Sequence, residues 1–421
     1  MQDQSERATA VGAGVPTRAP AGGKYFTMGA LTVGHSIKHW YQQGFWVLLP
    51  HIKQAMELSP IQAGLIITVR QVVSGVADIP TGVAADIIQR RVVLILGAAL
   101  TALGVGFLLV GLAPAYGVVL VAVGLTGLAP GLWHPPAVGI LSRTYPTQRG
   151  LALSLHRMGG SLGDSVAPIV VGAMLGFLMW RHVFLVQVVP ALLLAVLLVW
   201  TLRGLTARSV RRIAVGAYLQ GARGLLTNRV VLATALLGGM RALGHTALLT
   251  FLVLYLKETL KFSDVSVGFH ISLLTLLGVG ASPGMGLLSD RIGRRPVIVV
   301  GFMAIGLLVL ALIWAGAGWT LTLVLAALGI FLYSMQPIIM ASGMDAIGSG
   351  TEATAAGLLF ATSTAFSASS PVIAGWLVQE FGIRAAFLYV GSIMLAAAVL
   401  SMVMPLRNRE AAPETTTGLP R

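Results

Sequence analysis

Between Gly34 and Ile52 the chain reads GHSIKHWYQQGFWVLLPHI, an apolar run interrupted by ionisable side chains. His35, Lys38, His39 and Gln42 fall at i, i+3, i+4 and i+7, so on a helix they share one face. A lysine set between two imidazoles suits two kinds of chemistry: holding an anion, or passing a proton near neutral pH. His35 and His39 also have the i, i+4 spacing of metal ligands. Lys38 between them, and the lack of an acid nearby on that segment, argue against a cation site, so no metal and no cofactor is expected. The same pattern recurs later, where Arg241 and His245 stand at i, i+4. Arg70, His134, Arg157 and Asp164 are further ionisable groups inside apolar stretches. Asp164 follows Arg157 by seven residues, on the same helical face and about 10.5 Å along the axis. It could carry a proton, pair with Arg157, or pair with Arg70 on another helix. His39 and His134 are the other proton-carrying candidates, and either could instead be a hydrogen-bonded packing residue.

The elements that must position these groups are membrane helices. Of 421 residues 56% are hydrophobic and 10% charged, and the mean hydropathy is +0.86. Soluble domains are about one-quarter charged. The 51 glycines suit close packing of membrane helices through small side chains. No cysteine is present, which excludes disulfides and thiolate metal sites. Neither a phosphate-binding glycine loop nor a nucleotide domain is evident, which argues against an ATP-driven mechanism or an enzyme.

Twelve apolar stretches begin near residues 26, 60, 92, 116, 149, 181, 229, 264, 296, 319, 351 and 383. Each is long enough to cross a bilayer, which takes about 20 residues. The net charge of +14 is explained by topology rather than by nucleic acid. With the N-terminus in the cytoplasm, most Lys and Arg fall in the tails and cytoplasmic loops; the outward loops keep Lys53, Arg181, Lys257, Lys261 and Arg384. The expected division is a cytoplasmic tail over 1–25, a six-helix bundle over 26–203, a linker over 204–228, a second bundle over 229–405 and a tail over 406–421. The tails are polar, the first lacks the apolar core of a signal peptide, and both read as disordered.

The halves are related. Residues 59–97 align without a gap on 263–301, with Gly82, Asp86, Arg90, Arg91 and Gly97 falling on Gly286, Asp290, Arg294, Arg295 and Gly301. His134-Pro135 resembles Gln336-Pro337, and Pro168 with Gly172 resembles Pro371 with Gly375. Two similar six-helix halves in one orientation are the architecture of a rocking secondary transporter. The same offset brings Arg241 to within one residue of Lys38, so each half presents a cation and a histidine at nearly equal depth. That pair could clamp a carboxylate, phosphate or phosphonate at the midplane. The alternative is neutralisation of these cations by Asp78, Asp164 or Asp345, with no ligand involved.

At these residues the chain resembles the major facilitator superfamily. The family's loop signature, Gly-x-x-x-Asp-Arg/Lys-x-Gly-Arg/Lys-Arg/Lys, is matched in full by Gly286, Asp290, Arg291, Gly293, Arg294 and Arg295. The first copy keeps Gly82, Asp86, Arg90 and Arg91 but has Ile87 and Gln89 at the other two places. The resemblance implies an all-α integral membrane protein of twelve transmembrane helices, with these residues gating one conformation. Gly163, Pro168 and Gly172, with Ser154, Ala167 and Val171, resemble the antiporter motif of the fifth helix, which implies export. Trp133-His134-Pro135 and the following Gly150-Leu-Ala-Leu-Ser154 resemble the fosmidomycin-resistance branch. Pro136 stands where that branch has glutamate, and Lys38-His39 stand where its first helix has Asn-Asp after a histidine matched by His35. The resemblance therefore does not carry the branch's acids onto this chain.

Together these readings predict a proton-coupled, multi-pass transporter of the inner membrane, monomeric, with both termini cytoplasmic. It would export a small organic anion or drug-like compound through a site built from His35, Lys38, His39, Gln42, Arg70, His134, Arg241 and His245. Asp164, Arg157, His39 and His134 would move the proton. Two other readings stand beside it: efflux of hydrophobic cations, and a receptor or scaffold that keeps the fold without transport.

Overall fold

The computed structural model describes residues 25–87, 92–203, 224–346 and 352–406. Both tails and most of the expected linker, together with Arg90 and Arg91, lie outside the described residues. Twelve long helical segments run through the rest. The first six are α1 (Phe26–Ala55), α2 (Pro60–Ile87), α3 (Val92–Leu112), α4 (Tyr116–Thr144), α5 (Arg149–Met174) and α6 (Trp180–Leu202), the last broken at Gln187. The second six are α7 (Arg229–Leu254), extended by a π-helical turn over Tyr255–Thr259, then α8 (Asp264–Ile292), α9 (Arg294–Ala311), α10 (Trp319–Met344), α11 (Glu352–Phe381) and α12 (Arg384–Val403). The chain is an all-helical, multi-pass membrane protein of two six-helix bundles.

Ten of the twelve are apolar enough in composition to count as membrane spans. The two that are not, α1 and α5, carry His35, Lys38, His39, His156, Arg157 and Asp164. These two helices lie against each other. A side chain at Gly159 or Gly163 would collide with the backbone carbonyl of Thr32 or Ser36, so the glycines let α5 press directly on α1. Apart from Arg157, which is exposed, their polar groups therefore face each other rather than lipid.

The sequence repeat is visible in backbone detail. Ser59 and Ser263 cap the starts of α2 and α8, each accepting from the amide three residues on. Glu57 and Lys261, equivalent just before those caps, both adopt positive φ, 52° and 57°.

The bundles meet along two seams, α2 against α11 and α5 against α8. Each seam is closed by a glycine under a carbonyl: Gly64 beneath Pro371, and its equivalent Gly268 beneath Pro168. Gly375 lies under Pro60 in the same way, and Gly172 under Asp264. Hydrogen bonds run beside them, from Thr68 Oγ1 to the Ala368 carbonyl (2.7 Å) and from the Ile169 amide to Ser272 Oγ (3.0 Å). All these contacts lie toward the end where α1 passes into α2 and α7 into α8, here called the distal end. Toward the other end, a side chain added at Gly280, Gly284 or Gly286 of α8 would meet open space. The bundles are thus joined distally and part proximally.

Candidate functional site

Where α1, α4 and α5 converge, five ionisable side chains form one connected cluster. Lys38 Nζ lies 3.2 Å from His39 Nε2 and 3.0 Å from His134 Nε2. His39 Nε2 lies 3.1 Å from His35 Nε2, and His39 Nδ1 lies 3.0 Å from Asp164 Oδ1. His35 Nδ1 donates to the carbonyl of His156 at 2.7 Å. Lys38 is 1% exposed. An ammonium so placed needs acceptors within reach, and the imidazoles supply them.

The ring nitrogens impose a constraint on protons. His35 Nδ1 must carry hydrogen to satisfy a carbonyl, so a neutral His35 presents a lone pair at Nε2. Where His39 Nδ1 carries the hydrogen toward Asp164 Oδ1, a neutral His39 also presents a lone pair at Nε2. Two lone pairs cannot face each other at 3.1 Å without a shared proton, held between the rings or supplied by Lys38. The cluster is a run of hydrogen-bonded titratable groups that ends at a carboxylate.

His35, His39 and His134 bring one ring nitrogen each within 4.8 Å of one another, a spacing that metal ions use. Lys38 Nζ is hydrogen-bonded to two of those three nitrogens. Its tethered charge serves a cation's role there and repels a second cation.

Two contributors were not picked out from the sequence. His156 of α5 stacks on His35, ring centres 3.9 Å apart, with Trp133 parallel to both at 6.5 Å. Gly160, one turn beyond His156, leaves room for the rings of His35 and His39. The signal was the i, i+4, i+8 run of His156, Gly160 and Asp164, which puts all three on one face.

The second bundle holds the counterpart. Arg241 of α7, 7% exposed, donates from Nη2 to Gln336 Oε1 of α10 at 3.0 Å. His245 packs edge-on against Tyr333 at 5.4 Å, and Gln43 of α1 reaches Tyr333 Oη across the bundles at 3.5 Å. Among the described residues no hydrogen bond or ion pair joins Arg241 to Lys38. The two cations are each secured within their own bundle.

The remaining expected site residues are placed as follows. Arg70 Nη1 donates to the Gln42 carbonyl (3.3 Å) and its guanidinium lies over the Phe45 ring (5.3 Å), tying α2 to α1. Arg157 is exposed, and among the described residues Asp164 forms its ion pair with His39 rather than with Arg157 or Arg70. Gly163 faces α1, whereas Pro168 and Gly172 face α8, so the antiporter-like helix joins the histidine cluster to the inter-bundle seam. In the loop signature, Arg294 pairs with Asp290 at 2.6 Å and with Asp345 at 3.1 Å, all within the second bundle. Arg295 donates to the carbonyls of Ser401 and Met402, Arg291 is exposed, and Gly293 makes the turn at φ 96°. Gly82 and Asp86 fall in the last turns of α2.

A sequence profile of the Major Facilitator Superfamily matches residues 31–369 and 235–419. The chain belongs to that superfamily. It is 24% identical over 326 residues to the fosmidomycin resistance protein of Escherichia coli (strain K12), covering 75% of this chain and 78% of that one. It is 26% identical over 333 residues to a probable 4-methylmuconolactone transporter of Cupriavidus pinatubonensis, covering 74% and 76%. In fold it is similar to a bacterial homolog of the human lysosomal transporter Spinster, in an inward-facing and occupied conformation. The TM-score there is 0.78, with 16% identity, over 90% of this chain and 96% of that one. Membership places the chain among membrane transporters of this superfamily and accounts for the repeat, the joined distal seams and the signature loop.

Proposed function

We propose that this major facilitator protein is a proton-coupled secondary transporter that exports a small organic anion by alternating access. The bundles, over 26–203 and 229–405, rock about the seams between α2 and α11 and between α5 and α8. The observation that carries the reading is the unbroken chain Lys38–His39–Asp164 at the root of the proximal opening. A shared proton on that chain can leave or enter as the opening changes sides, and the Thr275 hydroxyl of α8, turned to the Ser272 and Ile271 carbonyls, lies 3.3 Å from the Asp164 carbonyl, so the two bundles touch at the residue that ends the chain. The uneven spread of Lys and Arg supports a cytoplasmic proximal end and a location in the inner membrane, with the protein working as a monomer. The antiporter-like run on α5 and the resistance and metabolite-transport relatives support export of a small molecule.

The test is proton flux in liposomes holding the purified protein and a trapped pH dye, with carboxylates, phosphonates and lipophilic cations offered in turn. An anion-evoked pH change that Asp164→Asn abolishes is the expected result. A response to lipophilic cations alone would replace the anion with a hydrophobic cation as substrate. No response to any of them would leave the fold without proton-coupled transport and favour a receptor or scaffold.

A further inference from the structure

The two bundles place a buried cation at equivalent positions and treat it differently. Lys38 meets His134 at 3.0 Å and Arg241 meets Gln336 at 3.0 Å. In both cases the first helix of the bundle supplies the cation and the fourth supplies its partner, one residue before a proline. Past that point the symmetry ends. Lys38 goes on to His39 and, through it, to Asp164. Arg241 has one neutral partner among the described residues and forms no ion pair there, although it is more than nine-tenths buried. Its guanidinium carries five N–H donors, and a single hydrogen bond, to Gln336, uses one of them.

Arg241 also borders a cavity. A space of about 20 Å³ is lined by Thr234, Gly238, Arg241, Gln336 and Ser363 among others. It begins where the α2–α11 seam ends, since Gly75 against Thr364 is the last close glycine contact on that seam toward the proximal end. The Thr234 hydroxyl is turned to the Val230 and Val231 carbonyls and that of Ser363 to the Leu359 carbonyl, so neither hydrogen points into the space. The donors left are the remaining Arg241 N–H groups and the Gln336 amide nitrogen, whose oxygen already faces the guanidinium. Donors without a matching carboxylate, around a void, are the requirements for taking up an anionic oxygen.

We propose that the bundles divide the work: the first stores the coupling proton at Lys38, His39 and Asp164, and the second binds the carboxylate or phosphonate of the substrate at Arg241 and Gln336. This rests on the anion-transport reading above and narrows it, because it removes Lys38 from direct contact with substrate. The physical reason for the division is that a guanidinium keeps its charge while neighbouring protons move, so substrate affinity survives each protonation step. An ammonium among imidazoles exchanges protons with them and cannot offer a fixed charge.

The test is equilibrium binding of benzoate and of methylphosphonate to the full chain in nanodiscs of neutral phosphatidylcholine, read by titration calorimetry without a proton gradient. At least one probe is expected to bind the parent saturably. Arg241→Gln should weaken it at least tenfold, and Arg241→Lys should recover part of the loss. Gln336→Glu puts a carboxylate beside Arg241, retains a partner for its charge and should compete the probe away, which keeps the test valid if Arg241→Gln does not fold. Lys38→Met should lose proton flux yet bind within about twofold of the parent. The proposal is overturned if neither probe binds the parent up to 10-millimolar order, if Gln336→Glu binds as the parent does, or if Lys38→Met loses binding while Arg241→Gln keeps it. Binding that depends on Arg241 in a protein that moves no protons would remove the coupling reading and leave this assignment standing.

Discussion

Asp164 holds His39 through its carboxylate at 3.0 Å, while its own backbone carbonyl lies 3.3 Å from the Thr275 hydroxyl of the opposite bundle. One residue therefore ends the histidine cluster and also lies on the α5–α8 seam. Under the proposed mechanism a change at the carboxyl group and a shift of α8 would meet on this one helix.

Asp164→Asn keeps the shape and removes the charge, so it separates coupling from packing. Anion-driven proton flux in liposomes should fall at least tenfold, while binding of benzoate or methylphosphonate stays within about threefold. A variant that still drives protons at half the parental rate would take Asp164 out of the coupling step.

His134→Ala removes one of the two ring nitrogens that accept from the Lys38 ammonium. Hydrogen bonds inside membrane bundles are worth about 0.6–1.7 kcal/mol. The thermal midpoint of the detergent-solubilised protein should drop by a few degrees, and His134→Gln, which restores an acceptor, should recover most of it. Equal losses in both variants would show that ring packing against His35, at 5.2 Å, matters more than the hydrogen bond.

The distal end is latched by charge. Asp264 at the start of α8 pairs with His51 of α1 at 2.7 Å and with Lys257 at 2.7 Å, and Lys53 pairs with Glu258 at 3.0 Å. His51 and Lys53 belong to the first bundle and their partners to the second. Asp264→Asn should let the distal end part more often. The chain has no cysteine, so a single Thr68→Cys reporter on the seam can be labelled with an impermeant maleimide, and its rate should rise several-fold in the Asp264→Asn background. An unchanged rate would mean that the glycine seams alone keep that end shut.

Gly268→Val tests those seams. Any side chain there meets the Pro168 carbonyl, and overpacking of this kind costs about 1–3 kcal/mol, on the order of 5- to 150-fold in the balance between the two conformations. The cost falls on the distally closed state alone, so the same maleimide reporter should label faster. Gly64→Val, at the equivalent place beneath Pro371, should do the same.

The primary sequence was enough for the helices, their count and the repeat. Apolar length sets where a chain can cross a bilayer, and the structured helices begin within two residues of the positions read from composition. It also marked Lys38, His39, His134 and Asp164 as misfits, because an ionisable group in an apolar run stands out whatever surrounds it. The signature Asp290, Arg294 and Arg295 were legible for another reason, the repeat that sets them opposite Asp86, Arg90 and Arg91. What the sequence left open was pairing. Periodicity puts His35, Lys38 and His39 on one face of α1 but does not say which helix that face meets. Only the glycine face of α5 and the approach of α4 bring Asp164, His156 and His134 to it. The offset that aligned Arg241 with Lys38 suggested one shared clamp; the structure holds each cation to the fourth helix of its own bundle, since packing within a six-helix bundle is tighter than packing across the opening. The distal latch was hidden too: Lys53 counted only as an outward-loop charge, and nothing in the sequence pairs it with Glu258, or His51 with Asp264, until α1 and α8 are set side by side.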